Sequence, residues 1–199
     1  IPSDLTVEQI LIRSGNIGSV RIGQKLEIIK LKAFLEKIGI LSKINFDIEE
    51  VGEPIPFKWG KCKLATVSFG HGITTTPLQL AKAYAIISNG GFAVEPSLIK
   101  SELKNNQQKK RIIKAGISEK INPILRKIVT TKEGTAGLVN IEGYEVGGKT
   151  GTAQKTIVGG YSKAKVNTFA GIFPASNPKY VLIVLLDEPK TSSDYVYEY

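Results

Sequence analysis

Residues 147–154 read Gly-Gly-Lys-Thr-Gly-Thr-Ala-Gln, and this stretch lies inside a predicted strand, Tyr144–Thr156. Glycines within a strand weaken it and often mark a place where another backbone approaches closely. Lys149 supplies a positive charge, and Thr150 and Thr152 supply hydroxyls beside it. Together they could bind a carboxylate on a chain that pairs along the strand edge. Taken alone, Lys-Thr-Gly is better explained as a hairpin strand with an exposed lysine.

Two more strands are predicted downstream, over Asn167–Pro174 and Lys179–Asp187. The residues Ala-Ser-Asn-Pro at 175–178 between them are typical of a turn. The last strand is almost wholly apolar, so we expect both of its faces to be covered. Strict alternation along the first strand places Lys149 and the two threonines on opposite faces, so a twisted edge strand must bring them to one cleft.

The chain upstream of these strands has helical spacing. Thr6 is a predicted N-cap, and two amphipathic helices are predicted over Ile17–Leu26 and Ile28–Ile38, the second ended by glycine. Residues 42–64 contain Gly and Pro and are predicted to be irregular. The pair Thr76-Pro77 predicts the start of a helix over 77–88, which two glycines stop.

A last helix is predicted over Ile117–Val129, where isoleucines recur at helical spacing. Helices followed by antiparallel strands predict an α+β fold with a three-stranded antiparallel sheet. We expect residues 1–199 to form a single domain unit, with a helical part over about 1–140 and a sheet part over about 141–190.

Composition excludes several classes of protein. The 199 residues are 42% apolar and 23% charged, which disfavours disorder, collagen and coiled coil. No apolar run is long enough to span a bilayer, and no signal peptide is visible. The sequence contains no methionine, which suggests a piece of a longer protein.

The net charge of +9 is concentrated in residues 100–132, which hold ten basic and two acidic side chains. That stretch contains no aromatic residue on which bases could stack, so a solvated face is favoured over a nucleic-acid surface. Its first part, residues 100–111, is predicted to be a solvated loop or hairpin tip. A basic nucleic-acid module stays a weaker alternative.

Cys62 and His71 are the only residues of their types. A lone cysteine excludes an internal disulfide and a cysteine-based zinc site, and no cluster of carboxylates has ligand spacing, so neither metal nor cofactor is expected. We expect Cys62 to be a small buried hydrophobic residue. His71 is interpreted as a satisfied histidine near a helix end, and a Cys–His protease pair is disfavoured because no third orienting group is apparent.

Ser14 and Asn16 flank Gly15 at a predicted break between helices. A hydroxyl and an amide two positions apart, outside regular helix, can point into one cleft. The same residues would equally serve as an N-cap of the following helix.

The order of the two elements is more informative than either element alone. Ser-x-Asn followed by Lys-Thr-Gly is the order found in β-lactamases and penicillin-binding proteins. The sequence as a whole resembles the transpeptidase domain of class B penicillin-binding proteins, and more closely its division-associated branch. The resemblance is carried by these stretches: 68–73 (Ser-Phe-Gly-His-Gly-Ile), 76–81, 133–137 (Glu-Gly-Thr-Ala-Gly), 148–154 and 177–184.

This resemblance implies a D,D-transpeptidase that cross-links peptidoglycan stem peptides through an acyl-serine intermediate and binds β-lactams. It implies that Ser14 relays protons, Asn16 holds the substrate amide and Lys149 provides positive potential and a hydrogen bond to Ser14. Thr150 and Thr152 would bind the terminal carboxylate beside Gly151, and the Thr152 N–H would be one oxyanion donor. The implied location is the bacterial inner membrane with a periplasmic domain, among division proteins that include a lipid II polymerase.

The sequence departs from the family in one respect. The nucleophilic Ser-x-x-Lys element should precede Ser-x-Asn, and none of the residues before Ser14 forms it. We therefore expect this chain alone to be inactive, with an incomplete sheet and an unpaired strand edge. The alternatives are a serine β-lactamase-like hydrolase and a non-catalytic division scaffold.

Overall fold

The computed structural model describes residues 4–100, 110–157 and 160–190. Five α-helices and a short 3₁₀ turn precede a three-stranded antiparallel sheet of order β1-β2-β3, which confirms the predicted α+β class. The elements are α1 (Val7–Ile12), α2 (Asn16–Lys37), α3 (Lys61–Ser68), α4 (Pro77–Ser88), α5 (Ala115–Thr130), the 3₁₀ turn (Gly137–Val139), β1 (Gly147–Ile157), β2 (Gly160–Phe173) and β3 (Tyr180–Asp187).

Two helices begin where the sequence predicts because their caps are complete. Thr6 accepts a hydrogen bond from the Gln9 N–H at 3.2 Å, and the Gln9 side chain accepts one from the Thr6 N–H at 2.9 Å. Thr76 and Gln79 form the same reciprocal pair of hydrogen bonds, a capping box, at the start of α4. Such caps satisfy two N–H groups that the first helical turn leaves without intrahelical partners. The prediction of a helix over 77–88 is confirmed to the residue.

The structure breaks α2 where the sequence predicts two helices. Glu27 has φ 65° and ψ 164°, a backbone conformation that interrupts the helix between its two halves. This region of backbone space is essentially reserved for glycine. The second half then ends before Gly39, whose φ of 82° is the left-handed conformation expected of a C-terminal glycine.

The interval 42–64 departs from the prediction, because its last residues begin α3. Gly60 at the N-cap offers no side-chain hydrogen bond, so no capping signal is present. Leu64 and Val67 are buried and hold α3 in place. Cys62 is exposed, which corrects the expectation of a buried cysteine. It lies two residues before Leu64, a rotation of about 200° that turns it away from the buried face.

The core divides into two clusters. One joins α1, α5 and β2, and the other joins the end of α2 to α4 and the segment before α5. The most deeply buried side chains include Ile128 of α5, Ile172 of β2 and Ile86 of α4. The first cluster matters for function because it fixes α1 and β1–β2 on the same helix, α5. Its buried members are Ile12, Leu125, Ile128, Val129, Ala136 and Ile172.

The last strand is not covered on both faces, so that expectation is wrong. Val181 packs against the first core cluster, but Tyr180 is 60% exposed and Leu182 is 49% exposed. The reason is its place in the sheet. β3 is an edge strand, and α4 is the only described helix that packs against it.

Other boundaries shift more modestly. β2 begins at Gly160, seven residues before the predicted start, and α5 is slightly longer than the predicted helix. Most of the predicted basic loop, residues 101–109, lies outside the described residues; Arg111 just after it forms an isolated bridge with Phe92. None of the helices in the described ranges combines the length and apolarity needed to cross a bilayer.

The break in α2 yields a prediction of stability. Replacing Glu27 with Gly removes the backbone strain, so we expect Glu27→Gly to raise the free energy of unfolding by about 1 kcal/mol. Glu27→Ala is the matched control, because it removes the same carboxylate and keeps the strain. Urea denaturation measures both, and equal stabilities of the two variants would contradict a strained Glu27.

Candidate active site

Ser14 closes the C-terminus of α1 in an unusual conformation. Its φ is 56°, while the Gly15 N–H donates to the Ile10 carbonyl at 2.8 Å and the Ser14 N–H donates to the Leu11 carbonyl at 3.3 Å. These two bonds form a Schellman motif, in which the left-handed position is usually glycine. A serine there costs about 1 kcal/mol of backbone energy. The cost is offset only if the side chain is needed, which points to its hydroxyl.

The Lys149 ammonium meets that hydroxyl. Lys149 Nζ donates to Ser14 Oγ at 2.7 Å and to the Thr150 carbonyl at 2.8 Å, although Ser14 and Lys149 are 135 positions apart. Desolvation by burial lowers the pKa of Lys149 to about 8. A lysine with such a pKa holds its charge near neutral pH yet gives up a proton far more readily than an exposed lysine.

One ion pair and one hydrogen bond connect the two sides of this contact. Arg13, next to Ser14, makes a two-pronged contact with Glu133, with Nε–Oε2 at 3.0 Å and Nη2–Oε1 at 2.5 Å. Two residues beyond Glu133, the Thr135 hydroxyl lies 2.7 Å from the Thr150 hydroxyl. A forked arginine–carboxylate pair fixes orientation as well as distance. The loop after α5 is thereby tied both to the residue before Ser14 and to the residue after Lys149.

The edge of β1 opposite β2 pairs with no other strand among the described residues, and its orientation follows from two contacts. The Thr150 carbonyl accepts from Lys149, and the Gln154 N–H donates to His71, so neither group is directed at β2. The register with β2 is uniform from Gly147 to Gln154. Because alternate residues of an antiparallel strand face the same edge, the N–H and C=O groups of Thr152 also face outward. This edge lies beside the Lys149–Ser14 contact.

His71 lies at the far end of this edge. Its ring contacts Phe69 at a centroid distance of 5.5 Å and Tyr161 at 5.7 Å, and its Nε2 is 3.5 Å from the Gln154 nitrogen. The interpretation of a satisfied histidine just after a helix is consistent with this placement. Sequence reasoning gave no sign that its partner would be β1.

The predicted site residues are only partly brought together. Ser14 and Lys149 are in contact, but Asn16 is exposed at the first turn of α2, and its side chain makes no hydrogen bond within the described residues. Thr152 and Gly151 are exposed. The Thr150 hydroxyl contacts the Thr135 hydroxyl, and within the described residues no hydrogen bond joins the Lys149 ammonium to a hydroxyl of Thr150 or Thr152.

Sequence reasoning gave no role to the Arg13–Glu133 pair or to Thr135. The signal was present, because Glu133-Gly-Thr-Ala was among the stretches that carried the family resemblance. Within the described ranges, no three residues among His, Cys, Asp and Glu gather where a metal ion could bind.

Ser-x-x-Lys strings do occur after Ser14, at 97–100, 101–104, 162–165 and 176–179, and none of the three serines that the structure describes hydrogen-bonds with Lys149. Ser97 donates to the Ile99 carbonyl, Ser176 donates to Glu145, and Ser162 lies in β2 with the Ala164 N–H as its donor. The fourth string, at 101–104, lies outside the described residues.

Comparison with known proteins gives a consistent result. A family described as the penicillin binding protein transpeptidase domain matches residues 2–198. The chain is 32% identical over 196 residues to the probable peptidoglycan D,D-transpeptidase PenA of Neisseria flavescens, covering 96% of this chain and 48% of the relative. It is 33% identical over 199 residues to stage V sporulation protein D of Bacillus subtilis, covering 93% of this chain and 30% of the relative.

Solved structures agree with the sequence relatives. The transpeptidase domain of penicillin-binding protein 3 from Burkholderia pseudomallei superposes with a TM-score of 0.85 at 28% identity, covering 93% of this chain and 57% of that one. Penicillin-binding protein 3 of Mycobacterium tuberculosis, complexed with ampicillin, gives a TM-score of 0.82 at 27% identity, with 92% and 45% covered. The chain therefore spans about half or less of the length of the curated relatives cited above.

The depressed pKa of Lys149 predicts a pH dependence of stability. Between about pH 8 and pH 10.5, the unfolded chain keeps a proton that the folded chain has released. Stability relative to Lys149→Met therefore rises as the pH increases through this window. We expect urea unfolding at pH 7 and pH 10 to show that the free energy of unfolding of the wild type increases by about 2 kcal/mol relative to that of Lys149→Met. A pH-independent gap would contradict the buried, desolvated ammonium.

Variants at Ser14 separate its backbone strain from its hydroxyl. Ser14→Gly and Ser14→Ala both remove the hydroxyl, but only glycine relieves the positive φ. We expect Ser14→Gly to be about 1 kcal/mol more stable than Ser14→Ala in urea unfolding. Both should lower the Lys149 pKa further, since the charged ammonium loses an acceptor. A Lys149 titration by NMR that is unchanged in both variants would contradict the contact.

Proposed function

The chain belongs to the penicillin-binding protein transpeptidase domain family, and we propose on that premise that its parent protein is a peptidoglycan D,D-transpeptidase of class B. It would join stem peptides through an acyl-serine intermediate during cell division. The names of the relatives support this proposal, since several are peptidoglycan D,D-transpeptidases of the PenA and FtsI types.

The observation that carries the proposal is the 2.7 Å hydrogen bond from Lys149 to Ser14. It joins the Ser-x-Asn and Lys-Thr-Gly elements from distant parts of the chain at a free strand edge. Burial lowers the pKa of Lys149 to about 8, and the lysine is hydrogen-bonded to the Ser14 hydroxyl. A lysine and a hydroxyl in this arrangement can pass a proton to a reacting group.

The reaction assigns a task to each group. A serine oxygen attacks the carbonyl carbon of the D-alanyl-D-alanine bond, an ester C–O bond forms, and the C–N bond breaks as the leaving D-alanine amine takes a proton. A neighbouring stem-peptide amine then attacks the ester, forms the cross-link and returns the serine. Ser14, with Lys149 beside it, relays the proton between the attacking hydroxyl and the leaving amine.

The strand edge binds the substrate. Thr152 directs its N–H toward the open edge, where it can donate to the developing oxyanion. The hydroxyls of Thr150 and Thr152, with Gly151 between them leaving room for close approach, take the terminal carboxylate. Asn16 holds the substrate amide once a peptide fills the space between α2 and β1.

The nucleophile lies outside these residues in this proposal. The chain corresponds to 57% of a solved transpeptidase domain. Residues 1–199 then form one partial domain, helical over about 1–140 and sheet-forming over about 141–190, and are inactive alone. Stem peptides and β-lactams are its ligands. The parent acts at the periplasmic face of the bacterial inner membrane with division proteins, including a lipid II polymerase.

Intact-mass measurement after treatment with benzylpenicillin tests this function. We expect a stable adduct on the full-length parent and none on the 199-residue chain. In the parent, Lys149→Ala should slow adduct formation by about 10²-fold or more, the typical effect of losing one preorganised charge-stabilising group. Lys155→Ala is the matched control in the same strand, since Lys155 instead pairs with Asp187 and Glu188. An adduct on the 199-residue chain, or equal rates for the two variants, would refute the assignment.

A further inference from the structure

His71 accepts a hydrogen bond from a backbone N–H of β1 with which a bound peptide could otherwise pair. Peptides that add to a sheet edge bind mainly through backbone N–H and C=O groups of the edge strand. On β1 these groups belong to Thr150, Thr152 and Gln154, and the Gln154 N–H is already directed at His71 Nε2 at 3.5 Å. The Thr152 groups have no partner among the described residues outside the sheet.

We propose that His71 ends the peptide-pairing edge of β1, so that a bound acyl-donor peptide pairs with Thr152 and then leaves the strand at Gln154. This inference rests on the proposed function, because it assumes that the edge binds the donor peptide. His71 is a specificity-determining residue in this view, and it takes no part in the chemistry.

The ring of His71 is fixed by its neighbours, so it can end backbone pairing at Gln154; we call this role the stop. It lies between Phe69 and Tyr161, at centroid distances of 5.5 and 5.7 Å, with the Tyr161 ring nearly edge-on to it. Contacts between such rings favour offset and edge-to-face geometries. Phe69 ends α3 and Tyr161 belongs to β2, so the imidazole is fixed between a helix end and the sheet.

The pairing of β1 with β2 becomes irregular at the same place. The pairing of β1 with β2 is uniform up to Gln154 with Lys165, and it shifts between Gln154 and Thr156. Three residues of β2 (162–164) lie opposite one residue of β1 (155), so the extra residues belong to β2. Such an irregularity increases the local twist of the paired strands. The regular part of β1 therefore ends at the residue whose N–H donates to His71.

A cleft opens where the peptide would leave. It has a volume of about 510 Å³ and is lined by Phe57, Lys63, His71, Gln154 and Tyr161 among others. Lys63 lies over the Phe57 ring at 4.2 Å and donates to the Gly72 carbonyl, so its ammonium already has partners. Lys155 is likewise paired with two carboxylates. The aromatic side chains of Phe57 and Tyr161 in the lining offer contact to the aliphatic parts of a peptide.

Hydrogen exchange of the Gln154 amide tests, without any ligand, whether this N–H is hydrogen-bonded to His71. In the 199-residue chain we expect His71→Phe, which keeps a ring and removes the acceptor, to speed exchange of this amide by about fivefold to tenfold, as for loss of one hydrogen bond. His71→Gln restores an acceptor and should recover protection. Tyr161→Leu, the matched control, removes a ring contact and should leave exchange nearly unchanged. Equal exchange in the wild type and His71→Phe would overturn the proposal.

A peptide titration tests the consequence. The probes are diacetyl-L-Lys-D-Ala-D-Ala and the same peptide lengthened by two residues at its N-terminus, added to the ¹⁵N-labelled chain. In the wild type we expect amide shifts at Thr152 but not beyond Gln154 along β1, and shifts at Tyr161 only with the longer probe. In His71→Phe the shifts should extend through the Gln154 amide. Wild-type shifts that already run past Gln154 would overturn the stop.

The two proposals fail in different ways. If neither probe shifts any β1 amide in any variant, the proposal that the donor peptide binds at this edge is refuted. The proposed role of His71 in limiting that peptide is then refuted as well. If the probes bind at Thr152 but follow the strand past Gln154 despite His71, only the stop is refuted. Activity of the parent, tested with benzylpenicillin, is independent of both outcomes.

Discussion

The site depends on one contact, in which the partly buried Lys149 ammonium donates to the Ser14 hydroxyl at the end of a distant helix. The Lys149 ammonium has two oxygen partners in the structure, Ser14 Oγ and the Thr150 carbonyl. Burial lowers its pKa to about 8, so the charge is retained at a cost that the rest of the fold must offset. A charge this costly to bury is rarely kept for structure alone. The strain at Ser14 adds to that cost on the other side of the contact.

The glycines before Lys149 explain how a lysine can reach that position. A Cβ on Gly147 would lie 3.0 Å from the Arg126 backbone nitrogen, and a Cβ on Gly148 would lie 2.5 Å from the Phe169 ring and 2.6 Å from the Ala170 carbonyl. Only glycine lets β1 lie this close to α5 and β2. Since α5 also anchors α1 through the shared core, this close packing brings Ser14 and Lys149 within hydrogen-bond distance. The functional spacing is thus set by backbone contacts as much as by side chains.

Local signals in the sequence were enough to predict most of the fold. The threonine before Pro77 and the glycine after α2 each act over a few residues, and the helix start and the helix end lie where these signals predict. Two kinds of information were missing. Helix α3 has no capping side chain and is stabilised by burial of Leu64 and Val67, and the exposure of β3 depends on what packs on the sheet. Pairings such as Arg13 with Glu133 depend on the folded path of the chain, so local patterns could not reveal them.

The two ends of the β1 edge together define how much substrate it can hold. At one end the Lys149 ammonium donates to the Thr150 carbonyl, and at the other the Gln154 N–H donates to His71 Nε2. The interval from Lys149 to Gln154 is about 17 Å of strand at roughly 3.3 Å per residue. Because only every second residue faces outward, Thr152 alone has both backbone groups open between these fixed ends. In the proposed mode of binding, this edge would pair with one extended dipeptide segment and would not template a longer strand. The same restriction would limit pairing of this edge with another chain, the usual liability of an exposed strand.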